Sequence, residues 1–190
     1  MAAGDPGADL LDADSFKRAF RTHPAGVAII TANPGTGPVG LTATSVASVS
    51  ADPPILIFSV ADASSSTAAI LESETIVVHL LDVSHLELAQ RFATSGIDRF
   101  ADATTWVMLP TGEPRLTGIA TALRGTIVER LRVGTSTVVA ALILDANTEV
   151  DATARSPLVY HDRAWHRRDD QSRTDAVRPE PGSGTPSSDG

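Results

Sequence analysis

The stretch GLTATSVASVSADPPILIFSV, residues 40–60, sets small hydroxyl residues directly beside the most apolar run of the chain. From Val39 to Ser50 the residues are β-branched or small. Asp52-Pro53-Pro54 interrupts them, and ILIFSV (55–60) then reads as a buried strand. If 39–50 is one continuous strand, Thr42, Thr44, Val46, Ser48 and Ser50 share one face, and Ala43, Ser45, Ala47 and Val49 share the other. Neither face is properly apolar. The ordinary account is an edge strand with Ser and Thr turned to solvent, where Thr is favoured anyway. A second account fits the same pattern: side chains this small on both faces let a flat ligand reach the main-chain N–H and C=O groups.

Outward from this stretch the pattern is mostly strand. Upstream, Asp12 or Asp14 can cap a helix carrying Phe16, Ala19 and Phe20 at helical spacing, and His23-Pro24 stops it. GVAIITA (26–32) reads as a buried strand, followed by the turn signal NPGTGP (33–38). Downstream, SSSTAAILES (64–73) predicts a short helix, TIVVHLL (75–81) a strand, and SHLELAQRFA (84–93) an amphipathic helix. Strands follow at 119–131 and 137–145, and a short last one at 157–162 (PLVYHD). Six or seven strands with a few short helices and no regular βαβ alternation predict a mainly β chain: an antiparallel barrel with peripheral helices. The small acidic residues 1–10 and the Ser/Pro/Gly/Asp-rich tail 169–190 predict disorder around one domain at 11–168.

Composition narrows the chemistry. The chain has 190 residues, 42% of them hydrophobic but only 4% aromatic, so the core must be built from Val, Ile, Leu and Ala. The formal charge of −8 argues against nucleic acid or an acidic membrane as partner. There is no cysteine, which removes disulfides, thiolate nucleophiles and Cys-ligated metals. The N-terminus lacks a signal-peptide pattern and no run is long enough to span a bilayer, so a cytoplasmic protein is expected.

Most catalytic motifs are missing. No G-x-S-x-G nucleophile elbow is present, and GTGPVG has neither a Walker lysine nor a dinucleotide fingerprint. His79 with His85, or His161 with His166, lacks ligand spacing and a third ligand, so no metal is expected. The hydroxyl segment remains. ASSST (63–67), at a helix start, offers hydroxyls and free N–H groups suited to an anion such as phosphate. A planar polar ring near 42–50 and a phosphate near 64–67 together describe a mononucleotide-like cofactor.

Taken in order, FKRAFRTHPAGVAIITA, the 40–60 stretch, SSSTAAI, VVHLLDVSHLELAQRFA, DRF, GEPRLTGIATALRGTIVERLRVG and PLVYHDRAW resemble the short-chain flavin reductases over about residues 15–166. These are the reductase components of two-component flavin-dependent monooxygenases. The resemblance implies a split β-barrel that forms a homodimer and binds FMN or FAD near the subunit interface. It also implies hydride transfer from NADH or NADPH to the flavin, and a monooxygenase receiving the reduced product. By position, Thr42, Ala43, Thr44 and Ser45 would line the isoalloxazine and ribityl chain, and Ser48, Val49 and Ser50 would continue that wall. Ser65, Ser66 and Thr67 would take the phosphate, and Arg91, Phe92 and Ala93 would close the site. One position departs from the family. Where its members carry Gly-Asp-His, with the histidine near the nicotinamide, this chain has Gly134-Thr135-Ser136. Serine can donate a hydrogen bond but cannot carry a positive charge. The resemblance therefore leaves two functions open, an NAD(P)H:flavin oxidoreductase or a flavin-binding carrier or sensor without reductase activity.

Overall fold

The computed structural model describes residues 10–148 and 155–168, so the tail from 169 and all but the last residue of the 1–10 segment lie outside it. Seven strands form one antiparallel sheet: β2 (Ala28–Ala32), β3 (Val39–Ala43), β4 (Ala47–Ala51), β5 (Pro54–Ala61), β6 (Thr75–Leu80), β9 (Thr121–Val133) and β10 (Ser136–Thr148), in the order β3-β2-β6-β9-β10-β5-β4. Consecutive strands β3 and β4 thus occupy opposite edges of the sheet. In a flat sheet those edges would stand six strand spacings apart, roughly 29 Å. The chain from Ala43 to Ala47 reaches only about 14 Å. The sheet must therefore curl until its edges approach, and the Ser45 hydroxyl marks the approach. It donates to the Ser59 carbonyl on β5 (3.1 Å) and accepts from the Ser59 N–H (2.9 Å). No ladder joins β3 to β4, so the barrel remains split along that line.

The hydroxyl stretch is therefore two strands rather than one. Its register breaks at Thr44-Ser45-Val46, where the chain crosses from one barrel edge to the other, and β4 carries a bulge between Ser48 and Ser50. The reading of two shared faces across 39–50 fails for that reason. On β3 one face is properly apolar: Leu41 and Ala43 point into the barrel and are buried.

Period-two alternation fills the interior. Ala28, Ile30 and Ala32 on β2, Leu56, Phe58 and Val60 on β5, and Val139 and Ala141 on β10 all belong to one core. Phe58, the largest side chain fully buried there, shares this core with four alanines, Ala28, Ala32, Ala43 and Ala141. This is how a chain so poor in aromatics fills a split barrel. The outward residues Val27 and Ile29 start a second core with Ala89 and Phe92 of α3 (Leu86–Ala93), plus Phe100, Leu116 and Leu158.

The other elements surround the barrel. α1 (Ala13–Arg21) begins at Asp12, whose carboxylate accepts from the N–H groups of Asp14 (3.0 Å) and Ser15 (2.9 Å). It buries no residue. α2 (Thr67–Glu72) follows β5. β1 (Ala25–Gly26), β11 (Leu158–His161) and β12 (Ala164–Arg167) form a small second sheet, and β7 (Trp106–Met108) pairs with β8 (Pro114–Leu116). The hairpin β7–β8 and strand β12 carry no signal in the sequence reading. The hairpin is held by polar anchors rather than by alternating hydrophobics. Among the described residues, no helix is long and apolar enough to cross a membrane.

Candidate functional site

A cavity of about 370 Å³ opens at the split of the barrel. Its walls come from segments far apart in sequence: Thr42, Thr44 and Ser45 at the end of β3, Ser59 and Ser64 around β5, Phe92 and Ala93 at the end of α3, and Ser136 at the start of β10. The strand order explains the convergence. β3 and β5 face each other across the split, β10 pairs with β5 so that Ser136 lies opposite Ala61, and α3 packs on β3. That packing needs Gly40, because a Cβ there would stand 2.7 Å from Phe92 Cε1 and 3.0 Å from the Ile30 carbonyl oxygen.

One wall is charged. Arg99 lines the cavity although the residue is only 8% exposed. Its Nη1 donates to the Gly40 carbonyl (2.8 Å) and to the Ser66 hydroxyl, while Nε and Nη2 donate to the Thr94 carbonyl (3.1 and 2.8 Å). Every one of these acceptors is neutral. Among the described residues no carboxylate lies within ion-pair distance of Arg99. Burial pulls its guanidinium below the ordinary arginine value. A buried cation without a counter-charge is costly unless an anion completes it. Together with Ser64 and Ser95 on the same cavity it makes a donor set suited to a phosphate.

Residues 20–168 match the flavin reductase like domain family. The chain belongs to that family. An NADH:FMN oxidoreductase of Rhodococcus qingshengii is 44% identical over 156 residues, 82% of this chain and 81% of that one. The stachydrine N-demethylase reductase subunit of Rhizobium meliloti is 35% identical over 60% of this chain and 49% of its own. The crystal structure of a flavin reductase domain protein from Arthrobacter sp. FB24 superposes with a TM-score of 0.78 at 39% identity, covering 87% of this chain and 99% of that one.

Within this flavin reductase frame the expected site residues separate into groups. Thr42, Thr44, Ser45, Phe92, Ala93 and Ser136 meet on the cavity. Ala43 is buried in the barrel core, one residue out of phase with the wall. Ser48, Val49 and Ser50 run along β4 and do not line the cavity, because the turn at 44–46 carries them to the other edge. Arg91, half-buried on α3, does not line it either. Nor do Ser65, Ser66 and Thr67. Ser65 is exposed, the Ser66 hydroxyl is taken by Arg99, and the Thr67 hydroxyl donates to the Ala61 carbonyl (2.6 Å). Ser64 stands on the wall in their place.

Arg99, Ser59 and Ser95 escaped the sequence reading. Ser59 had a signal, as a polar residue breaking the apolar run of β5 on its outward face. Arg99 sits in a loop among acidic and apolar residues, and only the fold buries it.

Proposed function

We propose that this chain is an NADH-dependent flavin reductase that binds FMN or FAD in the cavity at the barrel split. The observation carrying this reading is Arg99, a buried cation with no carboxylate in ion-pair range among the described residues, on a cavity rich in small hydroxyls. The residues fit a flavin. Arg99, Ser64 and Ser95 would hold the phosphate, Thr44 and Ser59 would present hydroxyls to the ring and ribityl chain, and Thr42 and Ser45, whose hydroxyls are bonded to the Ala89 and Ser59 main chain, would shape that wall. Bound flavin supplies an acceptor for the nicotinamide hydride. The protein holds the two rings together and keeps water from between them, and no side chain forms a bond to either. Arg132, the cation nearest Ser136 in sequence, is engaged by Asp62 at 2.7 Å, which favours NADH over its 2′-phosphorylated form. Reduced flavin passes to a separate monooxygenase component in the cytoplasm; the relative that is a demethylase reductase subunit supports that role. The working unit is a homodimer of single-domain chains spanning residues 11–168.

The test is anaerobic. Purified protein is mixed with FMN or FAD, NADH is added, and the visible flavin band is followed. Protein-dependent bleaching is the expected outcome. Ser136 favours a second reading, because the family histidine is absent from a cavity wall. A flavin band that shifts on binding yet never bleaches would select a carrier or sensor instead.

A further inference from the structure

Ser66 stands immediately before α2, where a serine ordinarily caps a helix by accepting from one of its first N–H groups. It makes no such bond. The residue is only 6% exposed, and its hydroxyl accepts instead from Arg99 Nη1. We propose that Ser66 is a positioning residue for flavin reduction, aiming the Arg99 guanidinium at the flavin phosphate without neutralising it. The assignment rests on the flavin reductase reading above. Ser66 itself lies off the cavity wall, so it acts only through the arginine.

The donors of Arg99 are nearly all engaged. A guanidinium has five N–H groups, one on Nε and two on each Nη. Nε and one Nη2 hydrogen go to the Thr94 carbonyl, and the two Nη1 hydrogens go to the Gly40 carbonyl and to Ser66. Among the described residues nothing takes the second Nη2 hydrogen, and Arg99 lines the cavity. The anchors come from the end of α3, from β3 and from the start of α2. Thr94 and Gly40 hold the arginine by main-chain carbonyls, which no substitution removes. Ser66 is the one side chain among the anchors, and so the one through which sequence can set the direction of the remaining N–H.

The residue type matters. A carboxylate beside Arg99 would accept the same hydrogen in a stronger bond. It would also cancel the positive charge and set a negative one against the phosphate. A serine hydroxyl holds the N–H group and leaves the whole charge to the ligand. The cost falls on α2, whose first N–H groups lose their usual cap. A serine that forgoes its helix to hold a cation on a cavity wall breaks a local rule, and such breaks belong to functional sites.

The experiment compares Ser66→Ala and Ser66→Asp with the parent protein, each reducing FMN or riboflavin with NADH. Riboflavin has the ring and ribityl chain but no phosphate, so the ratio of kcat/KM for FMN to that for riboflavin isolates the phosphate contact. In Ser66→Ala the ratio should fall about three- to tenfold, the weight of one typical hydrogen bond. The fall should come through the KM for FMN, with kcat and the riboflavin values at the parent level. Ser66→Asp restores a cap and pairs with Arg99, so its melting temperature should hold or rise while the ratio falls further. A merely structural role would move both flavins together. An unchanged ratio in both variants, or an equal fall for both flavins, would overturn the assignment. So would a parent protein that reduces the two flavins equally well, because the phosphate would then not rest on Arg99. If the parent protein reduces no flavin at all, the underlying reading has failed instead, and the two failures are distinct.

Discussion

Thr42 and Thr44 both line the cavity, yet their hydroxyls stand in different situations. Thr42 donates to the Ala89 carbonyl at 2.7 Å and so ties β3 to α3. Thr44 is exposed at the split and sits on the cavity wall. Thr42→Val should therefore cost stability, about 1 kcal/mol for a half-buried hydrogen bond. Thr44→Val should leave the melting temperature alone and weaken flavin binding. Chemical denaturation and flavin titration on both variants separate the two roles, and a Thr44→Val protein that binds flavin normally would remove Thr44 from the site. His79 is a buried residue of a different kind. The Leu116 N–H donates to its Nε2 (3.0 Å), which leaves Nδ1 to donate to the Ile29 carbonyl (3.1 Å). Accepting at Nε2 requires the neutral ring, whereas the Nδ1 bond to Ile29 would survive protonation. Burial, reinforced by the charges of Arg115 and His85, holds its pKa down at about 4. Below pH 6.5 the unfolded chain takes up a proton that the fold refuses until about pH 4. His79 therefore contributes stability fully at neutral pH, lost as pH falls, by up to ~1.4 kcal/mol per pH unit. Urea unfolding at pH 7.5, 6.0 and 5.0 should show that loss, and His79→Gln should flatten it. An equal slope in the variant would mean other groups dominate.

At the scale of elements, the barrel was largely legible and its attachments were not. β2, β5, β6, β9 and β10 announce themselves because period-two alternation or a continuous apolar run is what a strand facing a core must show. The Asp12 cap and the Asn33 turn, where the Asn33 side chain accepts from the Gly35 and Gly37 N–H groups, are likewise local chemistry. The break at Thr44-Ser45-Val46 was illegible because nothing in those residues stops a strand; the crossing is imposed by which edge each strand pairs with. β7–β8 was hidden for another reason. It is anchored by His79, by the Thr31 hydroxyl donating to the Pro114 carbonyl, and by buried Glu113 bonded to Arg124 at 2.9 Å. Burial alone would raise the Glu113 pKa, but the bonds from Arg124, Thr111 and Thr75 outweigh it and hold the carboxyl at about 2. Such anchors are single polar residues scattered over ninety positions, and a periodicity search passes over them. The same logic makes Gly40 a test of how elements build the site. Gly40→Ala must push the Phe92 ring away from β3, because the Ile30 carbonyl on the other side is main chain. A cost of about 1–3 kcal/mol is expected for such overpacking. Flavin affinity should fall with it, since Phe92 is a cavity wall. A stable Gly40→Ala protein with unaltered flavin affinity would show that α3 can shift without consequence for the site.

Over the whole molecule, five of the exposed large apolar side chains gather on one run of strands. Val49, Val128 and Leu144 are each at least 49% exposed, and each falls where the register slips at a β-bulge, on β4, β9 and β10 respectively. Leu131 and Val133, 59% and 54% exposed, continue the series along β9. All five belong to the contiguous run β9-β10-β5-β4 that forms one side of the barrel. A bulge bends its strand and turns an extra side chain outward, and it is a feature rather than an accident of a sheet. Apolar residues placed repeatedly at such points, on a chain of net charge −8, fit a surface covered by a second copy. Light scattering on the parent protein should then give twice the 19.8 kDa chain mass. Replacing Val128 and Leu131 with aspartate should give the single-chain mass, with little loss of monomer stability because both side chains already face water. A parent protein that runs as one chain at micromolar concentration would remove the dimer. The variant also decides a second matter. If the monomer retains flavin affinity, then Arg99 and the hydroxyl wall suffice for binding; if affinity is lost with the dimer, a residue of the partner completes the cavity.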